Sequence, residues 1–476
     1  MEVLQRTANR GSISTGEYEI DNSLKFEADN TEYLSKTPSS AGNRKTWTLS
    51  VWIKRTELAS SASMQILSAG DTYLHFDADK LKANFRSAGE NFFFATNRVF
   101  RDTSAWYHIV LQCDTTQGTD TNRAKLWVNG ESQTADWLNS YSNMSQNYET
   151  LMNNDNAHRV GMYLDGSTPV ELFNGYMAEM HLVDGTALEP TSFGEFDDNS
   201  GIWKPKAYAG SHGTNGFYLD FEDSANLGND ASGGTDFAET NIAAADQATD
   251  TPTNSFCTLN PIFQSYGSYD ELTISEGATR AVNAASAYKS ATSTIGVSTG
   301  KWYWEVNVTD RNTITTIGVT MPFYWDAGNA PFGGTVYYGQ TGQRHNNSVA
   351  GGGQDSFGNG YTDGDIISFA LDMDATTPTL AVRKNNSLVT GNNAAGNLMY
   401  DLSLTGSSGT FLPPKEDFYF AKLVGYGANT FDINFGGYTA ASISSAATDE
   451  NGYGTFEYAP PSGYYSICTK NLAEYG

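Results

Sequence analysis

Glu179 and His181 stand two residues apart in Gly175-Tyr176-Met177-Ala178-Glu179-Met180-His181-Leu182-Val183. In a β-strand that spacing puts an acid and an imidazole on one face. Such a pair could exchange protons with a substrate. Glycoside hydrolysis with retention would also require a second carboxylate about 5 Å from the first. No partner acid can be named from the sequence. The nearest groupings, Glu17-Tyr18-Glu19-Ile20-Asp21 and Glu195-Phe196-Asp197-Asp198, fall at the edges of the strand-rich region around the pair. A hydrogen-bonded or surface pair is therefore the expectation, and the chain is read as not an enzyme.

The other reactive residue types are scattered. His75, His108, His158, His181, His212 and His345 show neither helical nor two-residue clustering beyond the pair above, which argues against a metal-dependent enzyme. His108, beside Trp106, reads as a packed sandwich residue. Cys113, Cys257 and Cys468 are odd in number and far apart, so they form neither a disulfide framework nor a zinc spacing. Cys113 alternates with Ile109 and Leu111 and reads as a buried thiol. Gly351-Gly352-Gly353 has no Lys-Ser/Thr after it and is expected to be a loop, not a phosphate cradle.

Two ligand chemistries stay open. Calcium takes oxygen ligands from flexible loops, and Asn153-Asn154-Asp155-Asn156, Asp165-Gly166-Ser167 and Asp363-Gly364-Asp365 are suitable; Asp155, Asn156 and Asp165 are the candidate ligands. No other cofactor is implied. Aromatic and polar residues crowd a Gly/Asn-rich stretch, and Tyr324, Trp325, Tyr337, Tyr338, His345, Phe357 and Tyr361 are the candidate ligand-binding residues. Tyrosine and tryptophan bury much area at small entropy loss and so anchor sugars and proteins. Plugging of the core is the competing reading for the same residues.

These residues must be positioned by strands. Leu49, Val51 and Ile53 alternate with Ser50, Trp52 and Lys54, and Tyr107, Ile109, Leu111 and Cys113 alternate with Trp106, His108, Val110 and Gln112. Where both faces of a strand are apolar, both should be covered. Leu126-Trp127-Val128 meets Asn129-Gly130, a strong hairpin signal. Later, Trp302, Trp304, Val306 and Val308 face one way, followed by alternating runs at Ile317–Met321, Ile367–Met373 and Phe431–Phe435.

The predicted class is all-β, with two tandem antiparallel β-sandwiches over 21–195 and 266–437. Residues 1–20 are expected to form an N-terminal docking arm, with Leu4, Arg6 and Arg10 as its contacts to a partner or neighbouring subunit. Residues 196–265, rich in Asp, Asn, Gly and Ala, read as a connector with one added strand around Phe217, Leu219 and Phe221. Residues 438–476 read as an extended tail packed on something. The stretch 323–361 is expected to form exposed loops.

Composition supports this class. The 476 residues are 39 % hydrophobic but only 17 % charged, with 47 glycines, 27 tyrosines and 25 phenylalanines, which suits short strands and turns. The formal net charge of −26, shared by both halves, repels phosphate backbones and anionic lipid, so neither nucleic acid nor membrane is an expected partner. The first ten residues lack an apolar core, so no secretory signal is expected, and no 18-residue apolar run exists.

Residues 21–195 resemble a concanavalin A-like, laminin-G-type lectin domain, through Leu49-Ser50-Val51-Trp52-Ile53, Trp106-Tyr107-His108-Ile109-Val110, Leu126-Trp127-Val128-Asn129-Gly130 and Gly175-Tyr176-Met177-Ala178-Glu179-Met180. The E-x-D-x-x-E arrangement of laminarinase-like relatives is absent. Residues 266–437 resemble a SPRY domain, through Lys301-Trp302-Tyr303-Trp304-Glu305-Val306, Ile317-Gly318-Val319, Gly364-Asp365-Ile366-Ile367-Ser368-Phe369-Ala370-Leu371-Asp372 and Phe418-Tyr419-Phe420-Ala421. That resemblance implies a sandwich that binds partners through loops. Thr37–Thr48, Gly216–Phe221 and Asp250–Pro261 are similar to segments of tailed-phage virion proteins. This implies a tail or capsid fibre, made in the host cytoplasm and released by lysis, with other virion proteins and a host-surface glycan or protein as partners. A homo-oligomer, with a trimer favoured, belongs to the same expectation.

Overall fold

The computed structural model describes residues 18–58, 63–87, 90–133, 144–262, 271–312, 314–321, 335–346, 354–390, 398 and 418–476. Leu4, Arg6, Arg10, Tyr324 and Trp325 lie outside them. The protein is all-β and built from two tandem antiparallel β-sandwiches, in compact units that divide between Asn254 and Ser255.

In the first unit, one sheet runs in the order Glu131–Ser132, Ala124–Val128, Trp106–Asp114, Thr46–Arg55, Gly175–Asp184, Ser23–Phe26 and Gln247–Ala248, with Phe217–Leu219 also paired to Gly175–Asp184. The facing sheet runs Ala238–Thr240, Tyr33–Lys36, His158–Val160, Ser63–Ala69, Thr72–Asp77, Lys80–Ser87 and Glu90–Ala95. Strand alternation sends Leu49, Val51, Ile53, Ile109, Leu111 and Cys113 into the core between the sheets. The Cys113 thiol is buried there as expected, and burial pushes its pKa up, so it is an inert packing residue. The opposite face of the same strands is also covered. Val110, Trp127, Val183 and Phe193 form a smaller cluster under the chain that follows Asp184.

Up to Asn254, the expected connector turns out to be part of this first unit, while Ser255 onward belongs to the second. Beyond Phe217–Leu219, it supplies three further strands, Trp203–Pro205 against Gly194–Phe196, Ala238–Thr240 against Tyr33–Lys36 and Gln247–Ala248 against Ser23–Phe26. Its acidic residues carry the packing. Asp230 pairs with Lys36 at 2.8 Å and accepts the backbone N–H of Tyr218. Asp250 takes Lys54 Nζ at 2.6 Å and the indole N–H of Trp106 at 3.0 Å, with Lys54 and Asp250 both fully buried. The Thr251–Asn254 turn then clasps Ile20, whose N–H and carbonyl both bond the Thr253 hydroxyl. Polar side chains satisfying backbone groups give a loop-like composition an ordered conformation.

In the second unit, one sheet runs Thr273–Ser275, Arg280–Asn283, Asn429–Asn434, Lys301–Asp310, Ile366–Asp372, Thr379–Lys384 and Ser387–Leu388. The other runs Tyr288–Thr292, Phe420–Tyr426, Ile314–Thr320, Thr335–Gly339, Gln343–Asn346 and Gln354–Ser356. Trp302, Trp304, Val306 and Val308 all point into the core, as their alternation predicts. The C-terminal segment covers the reverse face. Phe456 packs on Tyr303, and buried Glu305 accepts the backbone N–H groups of Glu457 and Tyr458, both at 2.9 Å. Tyr465–Ser466 joins Lys301–Asp310 in parallel, and Thr469–Tyr475 is a short helix that strand periodicity did not reveal.

Candidate functional site

A cluster of titratable side chains in the first unit lies on the outer face of Gly175–Asp184. Gly175 itself is required, because at φ +141° a Cβ would sit 2.2 Å from the Lys54 carbonyl. The strand pairs regularly with Thr46–Arg55 up to Ala178↔Trp52, then shifts register and resumes at His181↔Ser50. Glu179 occupies this β-bulge at φ +48°. The extra residue matters for polarity. Met177 and Met180 both enter the core, and Glu179 and His181 both stay outside it. Plain alternation from Met177 would have driven the Glu179 carboxylate into the apolar interior.

Glu179 is closed in by phenols. Tyr218 donates to Oε1 and Tyr18 to Oε2, each at 2.6 Å, and the two hydroxyls are 3.2 Å apart. Burial, then the Glu179 charge, pushes both phenol pKa values up, so both tyrosines stay protonated donors. The His181 ring stacks on Tyr218 at 4.2 Å, its Nε2 lies 3.6 Å from Glu179, and its Nδ1 meets His212 Nε2 at 3.1 Å. Burial, then His181, holds the His212 pKa down at about 4. Asp220 and Glu222, just after Phe217–Leu219, both have raised pKa values, from burial first and neighbouring acids including Glu179. These are the neighbouring acids that the sequence alone did not place. The pairing of Phe217–Leu219 with Met180–Leu182 brings them in.

Next along the sheet, His108 is packed as expected. Its ring lies between Trp52 at 4.7 Å and Trp203 at 5.9 Å. The Trp203 indole N–H donates to Nδ1 at 2.9 Å, so the neutral ring carries its proton on Nε2 and donates it to Ser50 Oγ at 2.8 Å. Complete burial, then His181, holds its pKa down at about 3. Ser50 thus accepts a hydrogen bond from His108 rather than being activated by it. Trp203 also covers the Asn129-Gly130 turn so closely that a Cβ on Gly130, at φ +75°, would meet its ring at 2.3 Å.

The sequence-predicted ligand residues are placed differently from one another. Tyr338, Phe357 and Tyr361, expected in exposed loops, are fully buried in the second core. Tyr338 packs against Phe357 at 5.7 Å and Tyr361 at 5.2 Å, and the Tyr361 hydroxyl donates to the Thr315 carbonyl at 2.8 Å. Tyr338 lies in the strand Thr335–Gly339 and faces inward, whereas Phe357 and Tyr361 follow the strand Gln354–Ser356 in loop backbone that packs onto the core, so none of the three rings presents a surface to a ligand. The backbones of Tyr337 and His345 face each other across neighbouring strands. Asp155 is exposed and Asn156 half-buried in the loop before His158–Val160, whereas Asp165 ends the hairpin strand Tyr163–Asp165. Among the described residues, no three His, Cys, Asp or Glu side chains gather as metal ligands.

The family described as the concanavalin A-like lectin/glucanases superfamily (Laminin_G_3) matches residues 28–191. No curated protein matches the chain. Among solved structures, a putative carbohydrate binding protein from Bacteroides ovatus is similar at 18 % identity and TM-score 0.33, over 47 % of this chain and 59 % of that one. The SPRY domain of human HERC1 is similar at 17 % identity and TM-score 0.23, over 33 % of this chain and 89 % of that one. Mouse laminin alpha1 domains LG4-5 are similar at 8 % identity and TM-score 0.29, over 94 % and 96 % of the two chains.

Proposed function

We propose that this is a non-enzymatic binding protein, serving as a fibre or appendage adhesin of a tailed-phage particle and recognising a host-surface glycan or protein. The observation that carries the non-catalytic reading is the closure of Glu179. Both its oxygens accept tyrosine hydroxyls at 2.6 Å, and the residue is only 6 % exposed. A general acid or nucleophile of a glycosidase must instead meet the glycosidic bond. The match of residues 28–191 to a superfamily of lectins and glucanases supports carbohydrate recognition as the chemistry. The virion placement is supported by the similarity of Thr37–Thr48, Gly216–Phe221 and Asp250–Pro261 to segments of phage virion proteins. In this reading the partners are other virion proteins and further copies of the chain, a trimer being favoured, and the net charge of −26 disfavours nucleic acid and membrane.

Purified protein tested on glycan arrays and intact host cells is expected to bind, with no sugar release from the bound glycans. Released sugar would overturn the non-catalytic reading. Absence of binding to glycans and cells would favour a second reading, a purely structural capsid-decoration or tail-adaptor protein. The burial of Tyr338, Phe357 and Tyr361 favours that second reading, since it removes three aromatic rings from the binding-competent surface.

A further inference from the structure

Lys25 is buried between two carboxylates in the first unit. Its Nζ lies 3.0 Å and 3.1 Å from the two oxygens of Glu32 and 2.8 Å from Asp246 Oδ1. The side chains are 1 %, 2 % and 10 % exposed, respectively. The geometry is set by the backbone. Ser23–Phe26 pairs with Gln247–Ala248 in the register Ser23↔Ala248 and Leu24↔Gln247, and one step further places Lys25 opposite Asp246. The second Asp246 oxygen accepts the backbone N–H of Ala243 at 2.8 Å. Glu32 is held by the backbone N–H of Glu27 and by the Asn30 amide.

We propose that Lys25 and Asp246 condense spontaneously into an intramolecular isopeptide bond, with Glu32 as the proton carrier. Lys25 passes one ammonium proton to Glu32, which relays it to the Asp246 carboxylate and is left ionised. The neutral Nζ lone pair then attacks Cγ of Asp246. The Ala243 N–H faces the oxygen on which negative charge develops, as an oxyanion donor must. Glu32 then takes a second nitrogen proton and hands it to the hydroxyl as the C–O bond breaks, so that water departs, the amide nitrogen keeps the third proton and Glu32 ends ionised as it began. Ammonium and carboxylate become an amide and one water, with no oxidant or cofactor.

Three features support this. Burial first, and the Asp246 charge second among the raising influences, push the Glu32 pKa up against the lowering effect of Lys25, which suits a carboxyl that must hold a proton briefly. A dry site disfavours buried charges, and the amide removes two of them. The nucleophile and acceptor are held in contact, so the step is effectively unimolecular. The bond would tie the first strand of the sandwich to its last, fastening an appendage domain against pulling. The cross-link is independent of which surface the protein binds.

Intact mass measurement of the full denatured chain tests this without any variant. The expected mass is one water below that of the sequence, and proteolysis should yield one branched peptide joining Lys25 to Asp246. Lys25→Arg is expected to restore the full mass while the strand content seen by circular dichroism is kept, and Glu32→Gln should retain the full mass or lose water far more slowly. A wild-type chain at full mass after prolonged incubation overturns the proposal, as does a water loss that survives Lys25→Arg. Loss of water from Glu32→Gln at the wild-type rate overturns the role given to Glu32.

Discussion

Tyr218 meets its cross-strand neighbour His181 ring to ring at 4.2 Å while its hydroxyl reaches past to Glu179 Oε1 at 2.6 Å. One residue from the former connector thus holds both members of the only acid–imidazole pair that the sequence made conspicuous. The bulge at Glu179 turns the carboxylate outward, and Tyr218 and Tyr18 cap it. The consequences are structural and measurable.

Tyr218→Phe keeps the stack on His181 and removes one of the two donors to Glu179. Loss of a hydrogen bond to a buried charged acceptor destabilises by roughly 1–3 kcal/mol. Urea unfolding should show a lower midpoint with an unchanged slope, and a midpoint equal to wild type would mean that water replaces the phenol.

Acid should unfold the first unit. His108, His158 and His212 have folded pKa values lowered, by burial first, to about 3, 4 and 4 from an ordinary 6.5. Between those values the unfolded chain binds more protons, so stability is full above pH 6.5 and is lost as pH falls towards 4. His212→Asn should flatten this slope, by roughly 1–2 kcal/mol given that its ring is only half-buried. Denaturant midpoints at several pH values would read it, and a variant with an undiminished slope would refute the assignment.

Trp203→Ala opens a cavity beside His108 and withdraws the N–H that fixes its tautomer. The expected loss is about 3–5 kcal/mol. Gly130→Ala strikes the same indole from the other side and should also destabilise, since both its positive φ and the ring oppose a Cβ. Thermal unfolding of the two single variants and the double variant would show strongly non-additive effects if they share this contact.

Lys54→Met leaves the Asp250 carboxylate buried at the end of the first unit without its partner at 2.6 Å. Breaking one side of a buried pair costs about 3–5 kcal/mol. Removing both charges, with Asp250→Leu added, should recover part of that loss, and calorimetry of the pair decides it.

In the second unit, Tyr361→Phe removes the hydroxyl bonded to Thr315 inside the core and should lower stability by about 1–2 kcal/mol without touching ligand affinity. Trp325→Ala, by contrast, is expected to weaken glycan or host-cell binding and leave the unfolding midpoint in place. Equal effects of both variants on binding would contradict this division.

Alternation made much of the fold legible. The inward faces of Thr46–Arg55, Trp106–Asp114 and Lys301–Asp310 follow directly from where their apolar residues recur. Buried thiol Cys113 and packed His108 follow from the same pattern. Between 196 and 265 the pattern failed, because Asp230, Asp236, Asp246 and Asp250 are polar residues doing packing work through hydrogen bonds and ion pairs, and hydrophobic periodicity does not register them. It failed again at Tyr338, where a Gly/Asn-rich composition masked a short strand, and at Phe357 and Tyr361, where loop backbone packs its rings into the core.

By itself, the amino-acid order determined the all-β class, the two sandwiches and the pairing of Glu179 with His181, because side-chain direction in a strand is a local property of period two. Only the tertiary structure decided that a bulge carries Glu179 out of the core, that Tyr18 and Tyr218 close it, and that Lys25 lies between Glu32 and Asp246. Those relationships join residues up to 221 positions apart in the chain. They depend on strand register and sheet order, which one strand's own sequence does not encode.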